Sequence, residues 1–259
     1  MPSEFACLDG RLVPAAQAVI GVTDPGLVRG DGIFEVIRLY DGRPYALDAH
    51  LERLERSAAG LRLSLDVDAV RADVAALLGS ATPADEFVRV MVTRGGRRIV
   101  LIEARPPLPA TLALEPVTYA PTRLLDGIKS LSYAANMLAS RLAAERGADD
   151  ALLVSPHGRV LECPTASFFA VFGGEVHTPP LSEHILDSIT RRAVLAAVTV
   201  LQTPIVLDTL AGAQEAFVAS SGHEIAAVHR VGEHRFEAPG ARTREIVARV
   251  REQILAELR

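Results

Sequence analysis

The proline-rich segment 106–110 is the feature that most constrains the fold of this chain, because three of its five residues are proline. Proline fixes its own backbone angle and offers no N–H donor, so neither a helix nor a central strand can run through this segment. Prolines spaced this closely are typical of an extended linker. The segment therefore predicts two domains, a small N-terminal α/β domain over residues 1–105 and a larger C-terminal domain over residues 111–259.

Both predicted domains mix strands with helices. Apolar runs bounded by turn residues predict strands, whereas apolar residues that repeat every three to four positions predict helices. The predicted strands are 34–40, 87–93, 98–103, 111–119, 151–155, 159–162, 168–172, 216–220 and 225–229. The predicted helices are 47–61, 67–78, 134–146, 189–201 and 241–258. Because the two kinds of element alternate irregularly, the sequence predicts an α+β (mixed α/β) fold.

The composition argues against several classes of function. The net charge of −5 indicates no basic surface for nucleic acid, and no apolar run approaches the ~20 residues that a membrane helix needs. The first residues lack the basic and apolar stretches of a signal peptide. The two cysteines, Cys7 and Cys163, fit neither a metal-ligand pattern nor a disulfide framework. We therefore expect a cytoplasmic protein with no bound metal, no nucleic-acid partner and no membrane association.

Lys129 is the only lysine in the sequence, although the chain has 27 lysines and arginines in total. On a surface, arginine replaces lysine easily, because either residue supplies a positive charge. Arginine stays protonated and cannot form an imine or act as a base, whereas a lysine whose pKa is lowered can do both. Two interpretations follow. Lys129 is either a catalytic amine or a chance survivor of a bias toward arginine.

Six segments carry residues of matching chemistry. They are 30–38 (GDGIFEVIR), 50–58 (HLERLERSA), 126–139 (DGIKSLSYAANMLA), 160–169 (VLECPTASFF), 185–192 (ILDSITRR) and 217–225 (FVASSGHEI). The planar donor fork of Arg53 suits a phosphate, and the free N–H groups of a helix that starts at Ile189 and Thr190 bind anions. Taken one at a time, these segments also have ordinary explanations as turns, strands, solvated helix faces or surface loops.

Together and in this order, the six segments resemble the class IV aminotransferases, which bind pyridoxal phosphate (PLP) in a fold called fold type IV. The resemblance covers nearly the whole chain. It implies a two-domain fold type IV architecture, most like that of D-amino-acid aminotransferases, and a homodimer. It also implies that Lys129 forms the Schiff base with the cofactor and shuttles a proton as general base and acid. The residues implied to bind the cofactor, in addition to Lys129, are Arg53, Tyr133, Glu162, Leu186, Ile189, Thr190 and Ser221.

The resemblance also implies a role for each of these residues. Glu162 would face the pyridine nitrogen, where a carboxylate keeps that nitrogen protonated. Arg53, the helix start at 189–190 and Ser221 would bind the phosphate, and Leu186 would pack against the ring. Tyr133 either reaches the ring hydroxyl or the lysine, or belongs to the core.

Two positions depart from the family pattern. Ser167 stands where the family commonly has Asn, and Ser188 stands where it usually has Gly. A serine loses the second hydrogen-bonding arm of the amide, so Ser167 is left out of the predicted site.

The residues predicted to bind the substrate are two members of one strand and three arginines. The resemblance implies that Phe34 and Val36 line the substrate pocket. Arg94, then Arg29, then Arg38 are the candidates for binding the substrate carboxylate, because arginine pairs with carboxylates through two parallel hydrogen bonds. Each of the three arginines could instead be a surface charge.

The function implied is ping-pong transamination between an amino acid and a 2-oxo acid. D-Amino acids such as D-alanine or D-glutamate are the first choice, because segment 30–38 and the lysine segment resemble the D-amino-acid enzymes best. A branched-chain L-amino-acid aminotransferase is the second choice. An aminodeoxychorismate lyase is the third, and Val36 argues against it because lyases commonly carry Thr there. The alternative outside enzymology is a catalytically lapsed PLP-fold binding protein.

Overall fold

The computed structural model describes residues 4–81 and 84–259, and these residues form six α-helices and fourteen strands. The chain divides into two compact units. The first unit comprises Met1–Pro106 and Ile128–Tyr133, together with Leu258. The second unit comprises Pro107–Gly127 and Ala134–Glu257, together with Arg259.

The placement of Ile128–Tyr133 differs from the predicted division, which put every residue after 110 in the second domain. The segment joins the first unit because its backbone pairs with a strand of that unit. The amide of Leu131 donates to the carbonyl of Gly32 (2.8 Å), and the amide of Phe34 donates to the carbonyl of Lys129 (3.1 Å). Pairing between residues so distant in sequence leaves no local pattern from which it could have been predicted.

The first unit is built on an antiparallel sheet of six strands. The strands are β1 (Phe5–Leu8), β2 (Arg11–Pro14), β3 (Gly32–Tyr40), β4 (Arg43–Pro44), β5 (Glu86–Thr93) and β6 (Arg98–Ala104). Their order is β2-β1-β6-β5-β3-β4. The helices are α1 (Pro25–Arg29), α2 (Leu47–Gly60) and α3 (Val67–Ser80).

The two faces of this sheet differ in composition. Successive strand residues point to opposite faces, and one set packs with α2 and α3 into the hydrophobic core. The core members on β3 and β5 are Ile33, Ile37, Leu39, Val88, Val90 and Val92. The alternate residues, among them Phe34, Val36 and Arg89, lie on the opposite face, where Val36 is paired with Arg89 across the two strands.

The second unit is built on a mixed sheet of eight strands. The strands are β7 (Leu112–Thr118), β8 (Asp150–Val154), β9 (Ser167–Phe172), β10 (Glu175–Thr178), β11 (Val200–Gln202), β12 (Glu215–Ser220), β13 (Glu224–Val231) and β14 (His234–Arg235). The order is β11-β10-β9-β12-β13-β7-β8, and β14 pairs with β13. The helices are α4 (Ala134–Glu145), α5 (Ile189–Ala197) and α6 (Ala241–Glu257). Helix α4 packs on β7 and β8, whereas α5 and α6 pack on each other and on β12.

All five predicted helices are present, but the end of one helix and one of the predicted strands were wrong. Helix 189–201 ends at Ala197, and β11 follows it and pairs in parallel with β10. The β-branched residues Val198, Thr199 and Val200 favour extended backbone at this point. The predicted strand 159–162 is reduced to two isolated bridges, of Val160 with Val154 and of Arg159 with Val206. The short strands β1, β2, β4, β10, β11 and β14 were not predicted. None of the described helices is long and apolar enough to cross a membrane.

Candidate active site

Lys129 lies in a short extended segment that pairs with the N-terminal half of β3. Ser130 forms an antiparallel bridge with Ile33, and the two hydrogen bonds described above flank this bridge. Gly32 allows the close approach, because a Cβ atom there would lie 2.6 Å from Cδ1 of Leu131 and 2.5 Å from the carbonyl oxygen of Val92. The backbone of Lys129 is therefore tied to the same strand that carries Phe34.

The amine of Lys129 sits beside two aromatic rings. Its Nζ atom is 4.2 Å from the centre of the Phe34 ring and 5.5 Å from the centre of the Tyr133 ring. The two rings meet edge to face, with their centres 5.2 Å apart. A protonated amine is attracted to the faces of such rings. The structure therefore brings together three residues that the sequence predicted separately, the lysine, the pocket residue Phe34 and Tyr133.

Arg89 is a site residue that the sequence analysis missed. Its guanidinium carbon lies 5.5 Å from the centre of the same Phe34 ring, and its Nε donates to the carboxylate of Glu103 (2.7 Å). Val36, the second predicted pocket residue, is its partner across the strands. The signal was present in β5, since Arg89 alternates with the core residues Val88 and Val90 and must point to the opposite face.

Two of the three predicted carboxylate-binding arginines have other partners. The Nε of Arg94 donates to Asp31 (2.5 Å), and its terminal nitrogens donate to the carbonyls of Leu61 (2.7 Å) and Arg62 (3.2 Å). Arg94 thus holds neighbouring loops of the first unit together. A substrate carboxylate would have to compete with Asp31 for it.

Arg38 lies at the opposite end of β3 from the residues that pair with the lysine segment. Its guanidinium makes two hydrogen bonds to Asp85 (3.0 and 3.3 Å) and lies 4.6 Å from the centre of the Tyr40 ring. The four residue-to-residue steps from Phe34 to Arg38 span roughly 13 Å of extended strand. The structure therefore does not place Arg38 with Lys129, contrary to the prediction. Arg29 is exposed at the end of α1 and makes no ion pair with any described residue.

Arg53, the predicted phosphate ligand, belongs to a buried group of three charged or titratable side chains. Its Nε and one terminal nitrogen donate to the two carboxylate oxygens of Glu35 (2.7 and 2.6 Å). His50, one turn earlier on α2, lies with Nδ1 2.8 Å from the same carboxylate. Glu35 and His50 are other residues that the sequence analysis missed. We call Glu35, His50 and Arg53 the buried triad.

The charges within the buried triad are set by burial and by close partners. Burial alone would raise the pKa of Glu35, but the charge of Arg53 and the hydrogen bonds from Arg53 and His50 outweigh it and lower that pKa to about 2. Burial lowers the pKa of His50, and the positive charges of Arg53 and Lys129 lower it further, against the attraction of Glu35. Glu35 is therefore ionised, His50 is neutral, and the Nδ1 of His50 must carry the hydrogen that it donates to Glu35.

In the second unit, Glu162 and Leu186 lie together as the sequence predicted. The backbone amide of Leu186 donates to one carboxylate oxygen of Glu162 (3.1 Å), and the carbonyl of Glu162 accepts from the amide of Leu153 (2.9 Å). Tyr119, which was not predicted, lies within the field of this carboxylate. Burial raises the pKa of Tyr119, and the negative charge of Glu162 raises it further.

The start of helix α5 forms an anion-binding end. Ser188 is the capping residue, and its side chain accepts from the amide of Arg191 (3.3 Å). Ile189 and Thr190 are buried in the first turn, where helix amides have no carbonyl partner within the helix. Ser221 follows β12, the strand on which α5 packs.

The guanidinium of Arg191 adds a buried positive charge to this helix. One terminal nitrogen of Arg191 donates to the carbonyl of Pro179 and to the side-chain amide oxygen of Gln202, and its Nε has no hydrogen-bond partner within the described part of the chain. Burial lowers the pKa of Arg191, while the charges of Asp187 and Glu162 oppose that effect. A buried cation bonded only to neutral groups favours a nearby anion.

These residues fit PLP, the cofactor that the sequence resemblance implied. The first unit offers a lysine amine beside two aromatic rings and a buried arginine whose plane is fixed by Glu35. The second unit offers a carboxylate held by a backbone amide, and a helix start next to a buried guanidinium. An amine, a carboxylate and phosphate-binding amides are the groups that this cofactor requires of a protein.

Comparison with known proteins agrees with this chemistry. The sequence profile of the family described as "Amino-transferase class IV" matches residues 32–231. The chain is 32% identical over 251 residues to a putative branched-chain-amino-acid aminotransferase of Methanocaldococcus jannaschii, covering 86% of each chain. It is 26% identical over 274 residues to a D-alanine aminotransferase of Bacillus licheniformis, covering 96% of each. A solved fold IV transaminase from Curtobacterium pusillum is 30% identical, covers 95% of this chain and 98% of its own, and superimposes with a TM-score of 0.83.

Proposed function

The chain belongs to the class IV aminotransferases, and from this membership we propose that it transfers the amino group of a D-amino acid, such as D-alanine or D-glutamate, to a 2-oxo acid. Its cofactor is pyridoxal phosphate, and its substrates are amino acids and 2-oxo acids. The similarity to a D-alanine aminotransferase over 96% of both chains supports the choice of D-amino acids. The resemblance of segments 30–38 and 126–139 to the D-amino-acid enzymes supports it as well.

The observation that carries the proposal is that two cationic side chains lie against the same aromatic ring, that of Phe34. Lys129 and Arg89 both lie against Phe34, 4.2 and 5.5 Å from its centre. An amino acid presents an amino group to be exchanged and a carboxylate to be recognised. Lys129 supplies the reactive amine, and Arg89 supplies a cation for a carboxylate. Arg89 therefore replaces Arg38 as a candidate ligand, and Arg29 remains a candidate because its guanidinium is exposed.

The chemistry divides between the cofactor and the chain. When bound, pyridoxal phosphate withdraws electrons from the substrate α-carbon, which makes the hydrogen on that carbon acidic. The amine of Lys129 would take that proton from the α-carbon as a general base and deliver it, as a general acid, to the cofactor carbon bonded to the substrate nitrogen. Phe34 and Tyr133 pack beside the amine, and their rings attract its protonated form. Glu162 would hold the hydrogen on the pyridine nitrogen, with its own carboxylate oriented by the Leu186 amide.

We assign phosphate binding to side chains and backbone amides that are already held in place by the fold. Arg53 is fixed in orientation by Glu35, which occupies two of its nitrogens. The amides at Ile189 and Thr190 are fixed by the helix itself, and the dipole of the helix favours a negative charge at its start. Ser221 supplies a hydroxyl donor. Tyr133 and Leu186 would contact the ring of the cofactor.

A branched-chain L-amino-acid aminotransferase is the second candidate, and the 32% identity to the Methanocaldococcus jannaschii protein favours it. The apolar residues Val36 and Met91 on the same sheet face as Arg89 suit a branched side chain. An aminodeoxychorismate lyase and a catalytically lapsed binding protein are the remaining alternatives.

A half-reaction separates these candidates. The PLP-loaded protein is mixed separately with D-alanine, D-glutamate, L-leucine and aminodeoxychorismate, and the visible absorbance of the cofactor is followed. We expect the D-amino acids to bleach this absorbance fastest. Bleaching by L-leucine alone would make the branched-chain function correct. Release of pyruvate from aminodeoxychorismate without bleaching would indicate a lyase. A protein that neither binds PLP nor reacts with any of these would be the lapsed form.

Two further properties are part of the proposal, assembly as a homodimer and a cytoplasmic location. Four exposed apolar side chains that lie close together in the sequence of the first unit support the dimer, because exposed apolar surface commonly marks an interface. They are Val19, Val22, Leu27 and Val28, which are 57–81% exposed. Sedimentation equilibrium should give twice the mass of the chain, and Leu27→Glu should shift the protein toward the monomer. Fractionation of the source cells would test the location.

A further inference from the structure

The C-terminal turn of helix α2 contacts the lysine segment through two small residues. The hydroxyl oxygen of Ser57 accepts a hydrogen bond from the backbone amide of Lys129 (3.1 Å), and Ser57 is fully buried. Gly60 follows three positions later, so both residues lie on the same face of the helix. We call Ser57 and Gly60 the helix seat.

Gly60 leaves space that the residue before the lysine occupies. A Cβ atom at this position would lie 2.7 Å from Cδ1 and 2.9 Å from Cγ1 of Ile128. Both atoms belong to the outer part of the Ile128 side chain, so a Cβ atom at residue 60 would force that side chain to move. The absence of a side chain at Gly60 therefore gives Ile128 room to pack against the end of α2.

The backbone of Lys129 is consequently held by two different elements. Its carbonyl accepts from the amide of Phe34 on β3, whereas its own amide leaves the ladder and donates to Ser57 on α2. Because the N–H and the C=O of Lys129 lie in the two peptide groups on either side of its Cα atom, fixing both restrains the backbone angles at Lys129 itself. The direction of the Lys129 side chain, and with it the 4.2 Å placement of Nζ over Phe34, follows from this fixation.

We propose that Ser57 and Gly60 are positioning residues that set where the amine of Lys129 stands during transamination. This inference rests on the proposed role of Lys129 as the cofactor-bearing base. Neither residue is expected to touch the substrate, so their effect passes through the lysine backbone alone. Because proton transfer depends steeply on the position of the base, a shift of about 1 Å can lower the rate roughly 100-fold.

The test compares variants of the full-length, PLP-loaded protein. Ser57→Ala removes the acceptor of the Lys129 amide, and Gly60→Ala pushes on Ile128. Ser80→Ala is the matched control, since it removes a serine hydroxyl that bonds to Leu77 at the end of α3, away from the lysine. The measurements are kcat and KM for the amino donor, and the pH midpoint of the visible absorbance of the lysine-linked cofactor.

We expect Ser57→Ala and Gly60→Ala to lower kcat by roughly 10- to 100-fold with little change in KM. We also expect both to move the pH midpoint, because that midpoint reports the surroundings of the amine. Ser80→Ala should leave both unchanged. Adding Ile128→Ala to Gly60→Ala removes the atoms that clash and should restore much of kcat and the midpoint. This rescue also serves as the test if Ser57→Ala does not fold.

The outcomes separate this inference from the proposed function. Borohydride reduction of the wild-type protein, followed by peptide mapping, should locate the cofactor on Lys129. A label on another residue would overturn the role of Lys129 and the inference with it. A label on Lys129, combined with wild-type kcat and pH midpoint in Ser57→Ala, would overturn the helix seat and leave the proposed function standing. A Gly60→Ala variant that loses activity and is not rescued by Ile128→Ala would also overturn it.

Discussion

The two units of the molecule handle charge in opposite ways. In the first unit, the buried triad places an ionised carboxylate, a guanidinium and a neutral imidazole in the interior beside β3 and α2. In the second unit, the backbone amide of Leu186 binds the carboxylate of Glu162, and the start of α5 offers its backbone amides to an anion together with the buried guanidinium of Arg191. The first unit thus stabilises its buried charges with side chains from different elements, whereas the second unit relies mainly on backbone amides.

This difference predicts unequal tolerance to substitution. Buried charges cost desolvation energy, which is recovered only while every partner is present. Backbone amides at a helix start are held by the helix whatever the neighbouring side chains are. The first unit should therefore respond strongly to the loss of one side chain, and the second unit only weakly.

The largest effect is expected for Glu35→Gln. The variant removes the negative charge and leaves the Arg53 guanidinium buried without compensation, which typically costs about 3–5 kcal/mol. Urea unfolding of the full-length protein should show this decrease in the free energy of unfolding. Asp48→Asn is the control on α2, the helix that also carries Arg53, because Asp48 pairs with Arg71 at an exposed site, and such pairs contribute less than about 1 kcal/mol. Equal losses in the two variants would refute the dependence of the first unit on the buried triad.

The next largest effect is a difference in kcat/KM between a variant of Arg89 on β5 and a variant of Arg38 on β3. Arg89→Gln should lower kcat/KM for the amino donor by roughly 10- to 100-fold, as expected when a charged hydrogen bond of about 1.5–3 kcal/mol is lost. Arg38→Gln is the matched variant, and we expect its kcat/KM to stay near the wild-type value because Arg38 lies roughly 13 Å along β3 from Phe34, away from Lys129. Steady-state kinetics with D-alanine and D-glutamate would check both. A loss in Arg38→Gln equal to that in Arg89→Gln would show that the assignment is wrong.

The same contrast explains what the sequence could predict. Glu162 and Leu186 lie in the short segments 160–169 and 185–192, which the family resemblance identified, and the helix start at Ile189 and Thr190 could also be predicted from the local pattern. The partners in the first unit are distant in sequence, as with Lys129 and Phe34. Glu35 and Arg89 were missed because their importance depends on strand register and on the helix that packs behind them.

Arg38 and Arg94 show which predictions a sequence motif does not support. Both stand in or next to strands of the correct motif, and arginine is the right residue for a carboxylate. Their actual partners, Asp85 for one and Asp31 for the other, come from turns whose position only the folded chain determines. A sequence motif can thus identify the strand of a pocket without telling which of its charged residues face the substrate.

The pH dependence of stability should also reflect the buried triad. The pKa of His50 in the folded state lies below 6.5, so unfolded chains bind a proton first as the pH falls. His50 therefore contributes stability that is complete above 6.5 and is lost below it, with a slope of up to about 1.4 kcal/mol per pH unit. Glu35 adds a second loss as the pH falls from 4.5 toward 2.

Two variants isolate the contribution of His50. Asn can donate from the position of Nδ1 without titrating, so His50→Asn should flatten the free energy of unfolding between pH 6.5 and the folded pKa. His157→Asn changes a histidine in a surface turn and should keep the wild-type slope. Denaturant unfolding at a series of pH values gives these slopes. An unchanged slope in His50→Asn would show that His50 is not a source of the acid sensitivity.

The smallest effect is expected at the helix start of the second unit. Ser188→Ala removes the side-chain acceptor for the Arg191 amide and should cost about 1 kcal/mol, whereas Ser188→Gly should cost only a few tenths. Both variants keep the amides of Ile189 and Thr190, so the affinity for PLP, measured by fluorescence titration, should change far less than in Arg53→Gln. If the cap contributed as much to PLP binding as Arg53 does, the second unit would depend on side chains as the first does. A small change would mean that the helix backbone holds the anion, and that Ser188 can stand where its relatives commonly carry glycine because both residues preserve the same amides.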